Sequence, residues 1–359
     1  MKNKYAPVLI TTLNRHEHLK NCIESLQNNT LANKTDIFIS VDYPPSEKYV
    51  EGYKRICEYF HSTKIDGFNS VHVFFQEKNL GPNDNYYFLE NIIKTEYEFY
   101  IFSEDDNIFS KNFLEYMNFY LEKYKDDDSI YSVCGHSIPV KWNTKEEKII
   151  INRSILSAYG YGKWIKKEEE CNSFTISELK RYMRNPYASW QLFKFSKKHF
   201  CDAINAARGN HYLILNSQKE LVYMDITRSI YLTLKNKYVI MSTVSKVRNM
   251  GYDGSGVNCS TTKNKSSLYV TVDNFNFSTQ EIDMADRFDG SGFEISEISK
   301  KEYQLINKYK AVEITAHLHC LVSCVRNEPF LKYPLPSSRS LRCGTELTRP
   351  LRFRCLCNR

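Results

Sequence analysis

The chain has 359 residues, 42% hydrophobic and 25% charged, with a formal net charge of +7. That is enough chain for one large α/β domain or two unequal ones. The charge is too mild and too scattered to argue for a nucleic-acid partner. No apolar window approaches 18 residues, so no membrane-spanning helix is predicted. The apolar run Ala6–Ile10 is too short for a signal core, and a cytoplasmic protein is expected. Six of the eleven cysteines, Cys22, Cys57, Cys134, Cys171, Cys201 and Cys259, are scattered singly and read as small buried hydrophobes, not a disulfide framework.

In chain order, residues 6–12 predict a first strand that empties into Leu13-Asn14-Arg15. The helix after it carries Leu19, Cys22, Ile23 and Leu26 on one stripe. Residues 36–42 predict a second strand ending in Asp42, closed off by Pro44-Pro45, and Val71–Phe75 a third. The loop Asn79-Leu80-Gly81-Pro82-Asn83-Asp84-Asn85 opens a helix with Phe88, Leu89, Ile92 and Ile93 on its buried face. A fourth strand, Tyr97–Ser103, runs into three consecutive carboxylates, Glu104, Asp105 and Asp106. The helix that follows carries Phe113, Tyr116, Met117, Tyr120, Leu121 and Tyr124 at helical spacing. Four strand–helix alternations predict an α/β fold, a mostly parallel sheet wound with helices on both faces.

Ligands bind at the carboxyl ends of such strands, where Arg15, Asp42 and the 104–106 cluster fall. Three adjacent acids repel one another unless a cation or a hydroxylated ligand uses them. Arg15 could neutralise a phosphate or hold Asp42. A second acidic triplet, Asp126-Asp127-Asp128, precedes a predicted strand Ser129–Cys134 and so sits at the opposite end of the sheet, as a turn.

The ordered set strand–Thr-x-Asn-Arg–helix, strand–Asp, Asn-Leu-Gly-Pro-Asn-Asp-Asn–helix and strand–Glu-Asp-Asp resembles the nucleotide-binding half of a GT-A (Rossmann-like) glycosyltransferase. It is similar to family 2 transferases of bacterial surface polysaccharides, and its acidic motif is like that of the N-acetylglucosaminyltransferase I group. The resemblance implies an inverting, metal-dependent transfer from a nucleotide sugar, UDP-linked by expectation, to a saccharide or lipid-linked saccharide acceptor. Carried over by position, Asp42 would face the uracil, Arg15 the uridine or diphosphate, Asp105 the ribose and Glu104 the donor sugar, with Asn83 also in the nucleotide site. Asp106 would ligate Mn²⁺ or Mg²⁺, with phosphate and water as the other ligands.

Downstream, Ser157-Ala158-Tyr159-Gly160-Tyr161-Gly162-Lys163-Trp164 alternates glycines with aromatics, which suits close backbone approach and ring stacking on a sugar. Tyr161 and Trp164 are the candidates. His136, beyond the predicted strand, is a further polar candidate. A helix from Asp225 through Leu232, a strand Tyr238–Met241 and the polar loop Ser245–Gly256 follow. The family pairs an Asp-x-x-x-Arg helix with an Asn-x-Gly-x-Asp-Gly-Ser-Gly loop; here the helix reads Asp225-Ile226-Thr227-Arg228, one residue shorter. By position the resemblance puts the catalytic base at Asp225, with Asp253 as rival, and Arg248 pairs with phosphate or with Asp225. A helix N-terminal acid is the competing reading of Asp225. The basic, aromatic stretch 163–198 suggests a peripheral membrane contact, or else a solvated helix face.

The expected organisation is a nucleotide-sugar half at 1–135, an acceptor half at 136–260 and an extension at 261–310. Beyond that lies an atypical tail at 311–359, where lysine gives way to arginine and Cys320, Cys324, Cys343, Cys355 and Cys357 cluster without metal-ligand spacing. A disordered tail is expected. The competing functions are a catalytically silent carbohydrate-binding protein on the same fold and a sugar nucleotidyltransferase, which would want a Gly-rich phosphate loop that Thr11–Arg15 lacks.

Overall fold

A computed structural model describes residues 4–136, 149–152, 159–211, 214–223, 225–242, 244–251, 253–256 and 295–297. The order begins β1 (Val8–Thr12), α1 (His16–Gln27), β2 (Asp36–Val41), α2 (Val50–Ser62), β3 (Ser70–Phe75), α3 (Gly81–Ile93) and β4 (Phe99–Glu104). It continues with β5 (Asn107–Phe109), α4 (Phe113–Lys123), β6 (Ile130–Cys134), β7 (Ile149–Asn152), β8 (Tyr161–Trp164) and the helices α5 (Ile165–Asn172), α6 (Ile176–Arg184), α7 (Pro186–Phe195) and α8 (Lys197–Ala207). Then come α9 (Asp225–Leu234), β9 (Tyr238–Ser242), β10 (Val247–Asn249) and β11 (Ile295–Glu297).

Among the described residues, nine strands make one sheet in the order β11-β7-β9-β6-β8-β4-β1-β2-β3, and β10 pairs with β5 in a separate ribbon. Strands β3, β2, β1 and β4 are mutually parallel, in the register Thr12 opposite Val41 and Thr11 opposite Glu104. The α/β fold with a mostly parallel, helix-flanked sheet is as expected. Its strands are apolar runs instead of alternating ones because both faces are covered. Leu9, Phe38, Tyr100 and Phe102 pack toward α3 and α5–α9, while Val8, Ile10, Ile39, Phe99 and Ile101 pack toward α1, α2 and α4. The chain steps outward from β1 to β2 and β3 and returns to β4 on the other side of β1. That reversal places a ligand crevice at the carboxyl ends of β1 and β4.

The sheet departs from the expected reading at β8. The segment expected to offer stacking rings is a strand, antiparallel to both β4 and β6. Its glycines serve packing: a Cβ at Gly162 would lie 2.9 Å from Leu121 Cδ1, and Gly160 holds a φ of +61° with Val247 Cγ2 2.9 Å from its would-be Cβ. Tyr161 and Trp164 are 5% and 3% exposed. The Trp164 indole donates to the Leu121 carbonyl at 3.0 Å. Both rings are buried in the core.

Lys163 and Lys167, counted toward a basic surface, are buried as well. Lys167 Nζ donates to the carbonyls of Tyr124, Asp127 and Ile130 at 2.9, 2.7 and 2.8 Å. It thereby braces the 126–128 turn, where Asp127 Oδ1 accepts from the Ser129 amide at 2.9 Å. Five of the six scattered cysteines are free thiols, four of them buried; Cys259 and the 311–359 tail lie outside the described residues.

Behind the crevice, Glu168 collects a fully buried charge cluster. It receives Arg228 Nη2 at 2.5 Å, the Tyr131 hydroxyl, and Lys163 Nζ at 3.1 Å. Burial works against its charge, but Arg228 and Lys163 outweigh that and hold its carboxyl down at about 2. Glu90, which accepts from Tyr100 at 3.3 Å, goes the other way. Burial first, then the Glu168 charge, pushes its carboxyl up from 4.5 to about 7. A raised folded pKa contributes stability in full below pH 4.5, lost as pH rises through 7. Glu90→Gln should therefore be more stable than the parent at pH 8, with a flatter fall in urea midpoint between pH 5 and pH 8. An unchanged pH dependence in the variant would contradict this.

Candidate functional site

The crevice is built on two carboxylates that follow β4. Asp105 and Asp106 are 2% and 4% exposed. Thr12, the last residue of β1, donates its hydroxyl to Asp105 Oδ2 at 2.7 Å. Arg15, at the N-cap of α1, forks between them: Nη2 pairs with Asp105 Oδ1, and Nη1 with Asp106 Oδ2 at 2.7 Å. The contact follows directly from β1 pairing with β4, which brings the two strand exits side by side. Burial raises the Asp105 pKa, with the Arg15 charge opposing and the Asp106 charge adding. Burial likewise disfavours the Arg15 charge, and the two carboxylates outweigh it and raise its pKa.

The second wall comes from far along the chain. Strand β10 pairs antiparallel with β5, placing Asn249 opposite Asn107. Asn249 Nδ2 donates to Asp106 Oδ1 at 2.8 Å, and the Met250 amide donates to the Asp106 carbonyl at 2.7 Å. Gly251 lies so close that a Cβ there would sit 2.3 Å from Asp106 Oδ2. His18 on α1 reaches the same loop, with Nε2 3.2 Å from Asp253 Oδ2. Asp253 is half exposed, and the Ser255 amide donates to its Oδ1 at 2.8 Å, a turn-type contact.

Asp42 is placed at the β2 exit, as expected, but its carboxylate is engaged. It accepts from the amides of Tyr43, Leu80 and Gly81 at 2.9, 2.8 and 2.9 Å and from Asn79 Nδ2 at 3.0 Å. It thus seats the N-terminus of α3, where an anion suits the exposed amides. Gly81 takes a φ of +75° at that entry, a region that favours glycine. Asn83 lies in the first turn of α3, and Glu104 is the half-buried last residue of β4. Arg248 is on β10, opposite Ile108. Asp225 is the first residue of α9, and its side chain lies outside the described residues, so its pairing with Arg248 does too. His136 is buried against Tyr159, and desolvation pushes its imidazole down to about 3, which makes it a neutral group.

The crevice therefore unites Arg15, Asp105 and Asp106, with Asp42 beside them on β2. Thr12, Asn249 and Gly251 fall within the motifs quoted from the sequence, but none had been given a role at the carboxylates. Thr12 was visible as a polar residue ending an apolar strand, whereas Asn249 lies 143 residues from Asp106 and only the β5–β10 ribbon joins them.

Two buried carboxylates face the single charge of Arg15, and the surplus negative charge suits a cation. Among the described residues no group of three or more His, Cys, Asp and Glu side chains could hold a metal by itself. The arrangement fits an ion with one protein carboxylate, whose remaining ligands are phosphate oxygens and water.

Residues 8–186 match the family model described as Glycosyl transferase family 2. No curated protein matches the chain. Among solved structures, residues 1–349 of S. aureus TarS are similar at 16% identity and a TM-score of 0.33, over 50% of this chain and 51% of that one. The mannosyltransferase PcManGT from Pyrobaculum calidifontis, in complex with GDP-Man and Mn²⁺, is similar at 10% identity and a TM-score of 0.30, over 48% and 49%. The longer S. aureus TarS structure gives 13% and 0.31, over 59% and 44%. The chain spans about half the length of the solved structures it matches.

Proposed function

Taking the chain as a glycosyltransferase with a family 2 domain at residues 8–186, we propose that it moves a sugar from a UDP-linked donor to a saccharide or lipid-linked saccharide acceptor in surface polysaccharide synthesis, with inversion and with a divalent metal. The observation that carries this reading is the buried Asp105–Asp106 pair at the β1/β4 switch point, bridged by Arg15. Asp106 would hold Mn²⁺ or Mg²⁺, whose chemistry when bound is Lewis-acid stabilisation of the leaving diphosphate. Arg15 lies within the same crevice and offers a planar donor fork that matches phosphate oxygens. Asp105, which accepts from Thr12, would accept from ribose hydroxyls, and Glu104 and Asn83 would flank the donor. Asp42, by fixing the 79–81 loop, would shape the side that receives the base.

In a single displacement, an acceptor hydroxyl oxygen bonds to the anomeric carbon as the bond to the diphosphate oxygen breaks on the opposite face. The hydroxyl proton needs a base, and Asp225 at the start of α9 is the proposed one. The loop bearing Asn249, Gly251 and Asp253 would shield the reacting centre from water. Asp225→Asn should keep UDP affinity and lose turnover of UDP-sugars by about 10²–10⁴-fold. Turnover preserved in that variant, with Asp253→Asn inactive, would move the base to Asp253.

Among the described residues no helix is long and apolar enough to cross a membrane. We extend the proposal to a peripheral contact through α6 and α7, which present Lys180, Arg181, Arg184 and Lys194 around Tyr187, 71% exposed, and Trp190, 36% exposed. Amphipathic rings within a cationic field suit an anionic bilayer surface. Co-sedimentation with vesicles containing phosphatidylglycerol should exceed that with phosphatidylcholine alone and fall in a Tyr187→Ala/Trp190→Ala double variant. Equal sedimentation in all cases would contradict the contact.

A further inference from the structure

Every carboxylate oxygen of the acidic pair already has a donor. Thr12 and Arg15 Nη2 take the two oxygens of Asp105; Asn249 and Arg15 Nη1 take the two of Asp106. Each of those oxygens keeps a second lone pair, but a divalent cation using one on Asp106 must sit beside the Arg15 guanidinium that holds Oδ2. Asn249 is fixed by the β5–β10 ribbon and by the Gly251 amide, which donates to its Oδ1 at 2.9 Å. Arg15 is the adaptable partner: its side chain is 17% exposed to the crevice, and it sits at the start of α1 with a long, rotatable stem. A metal arriving while the guanidinium stays would also place two like charges within a few ångström in a buried site.

We propose that Arg15 is the resident counter-ion of Asp106, and that the metal gains this carboxylate only together with the donor's diphosphate. The phosphate oxygens accept the Nη1–H that Asp106 releases, and the freed Oδ2 lone pair goes to the metal. Asp105 keeps its bond to Nη2 and holds the guanidinium over the crevice through the exchange. No covalent bond changes. Arg15 thereby has two effects of opposite sign: it suppresses uptake of the free ion and supports binding of the nucleotide. A purely structural arginine would not have opposite effects on the two ligands. The inference rests on the proposed metal role of Asp106.

The test is Mn²⁺ binding by the full chain, read by electron paramagnetic resonance of the free ion, without and with UDP. The parent is compared with Arg15→Gln, which removes the charge, and Arg15→Lys, which keeps the charge without the fork. Without UDP, the Gln variant should bind Mn²⁺ at least about tenfold more tightly than the parent, with the Lys variant closer to the parent. With Mn²⁺ present, the Gln variant should bind UDP more weakly than the parent. Equal Mn²⁺ affinity of parent and both variants without UDP would overturn the inference, while UDP-dependent uptake by the parent would leave the metal role of Asp106 standing. Absence of Mn²⁺ uptake by the parent even with UDP would overturn both. Should the Gln variant fail to fold, the Lys variant decides: UDP affinity unchanged from the parent would overturn the inference.

Discussion

Two buried carboxylates that meet at the end of one strand are the constraint around which this molecule is arranged. Adjacent anions away from water are unfavourable unless cations or strong donors surround them. The chain supplies three such donors from two separate places: Thr12 and Arg15 at the exit of β1, and Asn249 from a ribbon strand far downstream. The parallel pairing of β1 with β4 is what makes the first two available. The β5–β10 ribbon makes the third available. The remaining negative charge is what the proposed metal-bound diphosphate would neutralise.

The second buried charge cluster organises the opposite half. Glu168 on α5 joins β6 through Tyr131, β8 through Lys163 and α9 through Arg228. Lys163 Nζ also lies 4.6 Å from the Tyr161 ring centroid and 5.4 Å from that of Tyr131, so rings as well as carboxylate share its charge. Buried ion pairs contribute little net stability, but removing one partner strands the others. Arg228 is one helical turn from Asp225 on α9, so this cluster ties the start of that helix to the sheet. The helical spacing makes Glu168 a support for the start of α9, distinct from the Asp105–Asp106 crevice.

Much of the N-terminal half was legible because its physics is local and repetitive. Four apolar runs each followed by an amphipathic helix define the doubly wound layer, and residues at strand exits mark the crevice, which is how Arg15, Asp42 and the 104–106 cluster could be picked out. What escaped was non-local or disguised. Strand β8 reads as a turn because Gly162, required by the packing of Leu121 and Met117 on α4, and Gly160 just before the strand imitate one. A buried lysine such as Lys163 looks like surface until its partner Glu168 and its three neighbouring tyrosines are seen in space. The three-residue strands β5 and β10 are too short to leave any periodicity, so the loop that begins at Asn249 could be seen but its contact with Asp106 could not. Asp42 was found at the right strand end, yet its four donors belong to the chain itself, a pairing that no spacing rule reveals.

The central claim is that this crevice takes a uridine diphosphate together with a metal at Asp106. Calorimetric titration of the protein with UDP, with and without Mn²⁺ and alongside Asp106→Ala, addresses it most directly. The account predicts binding that strengthens sharply with Mn²⁺ and loses that dependence in the variant. Binding indifferent to Mn²⁺, or unchanged by removal of the Asp106 carboxylate, would contradict it.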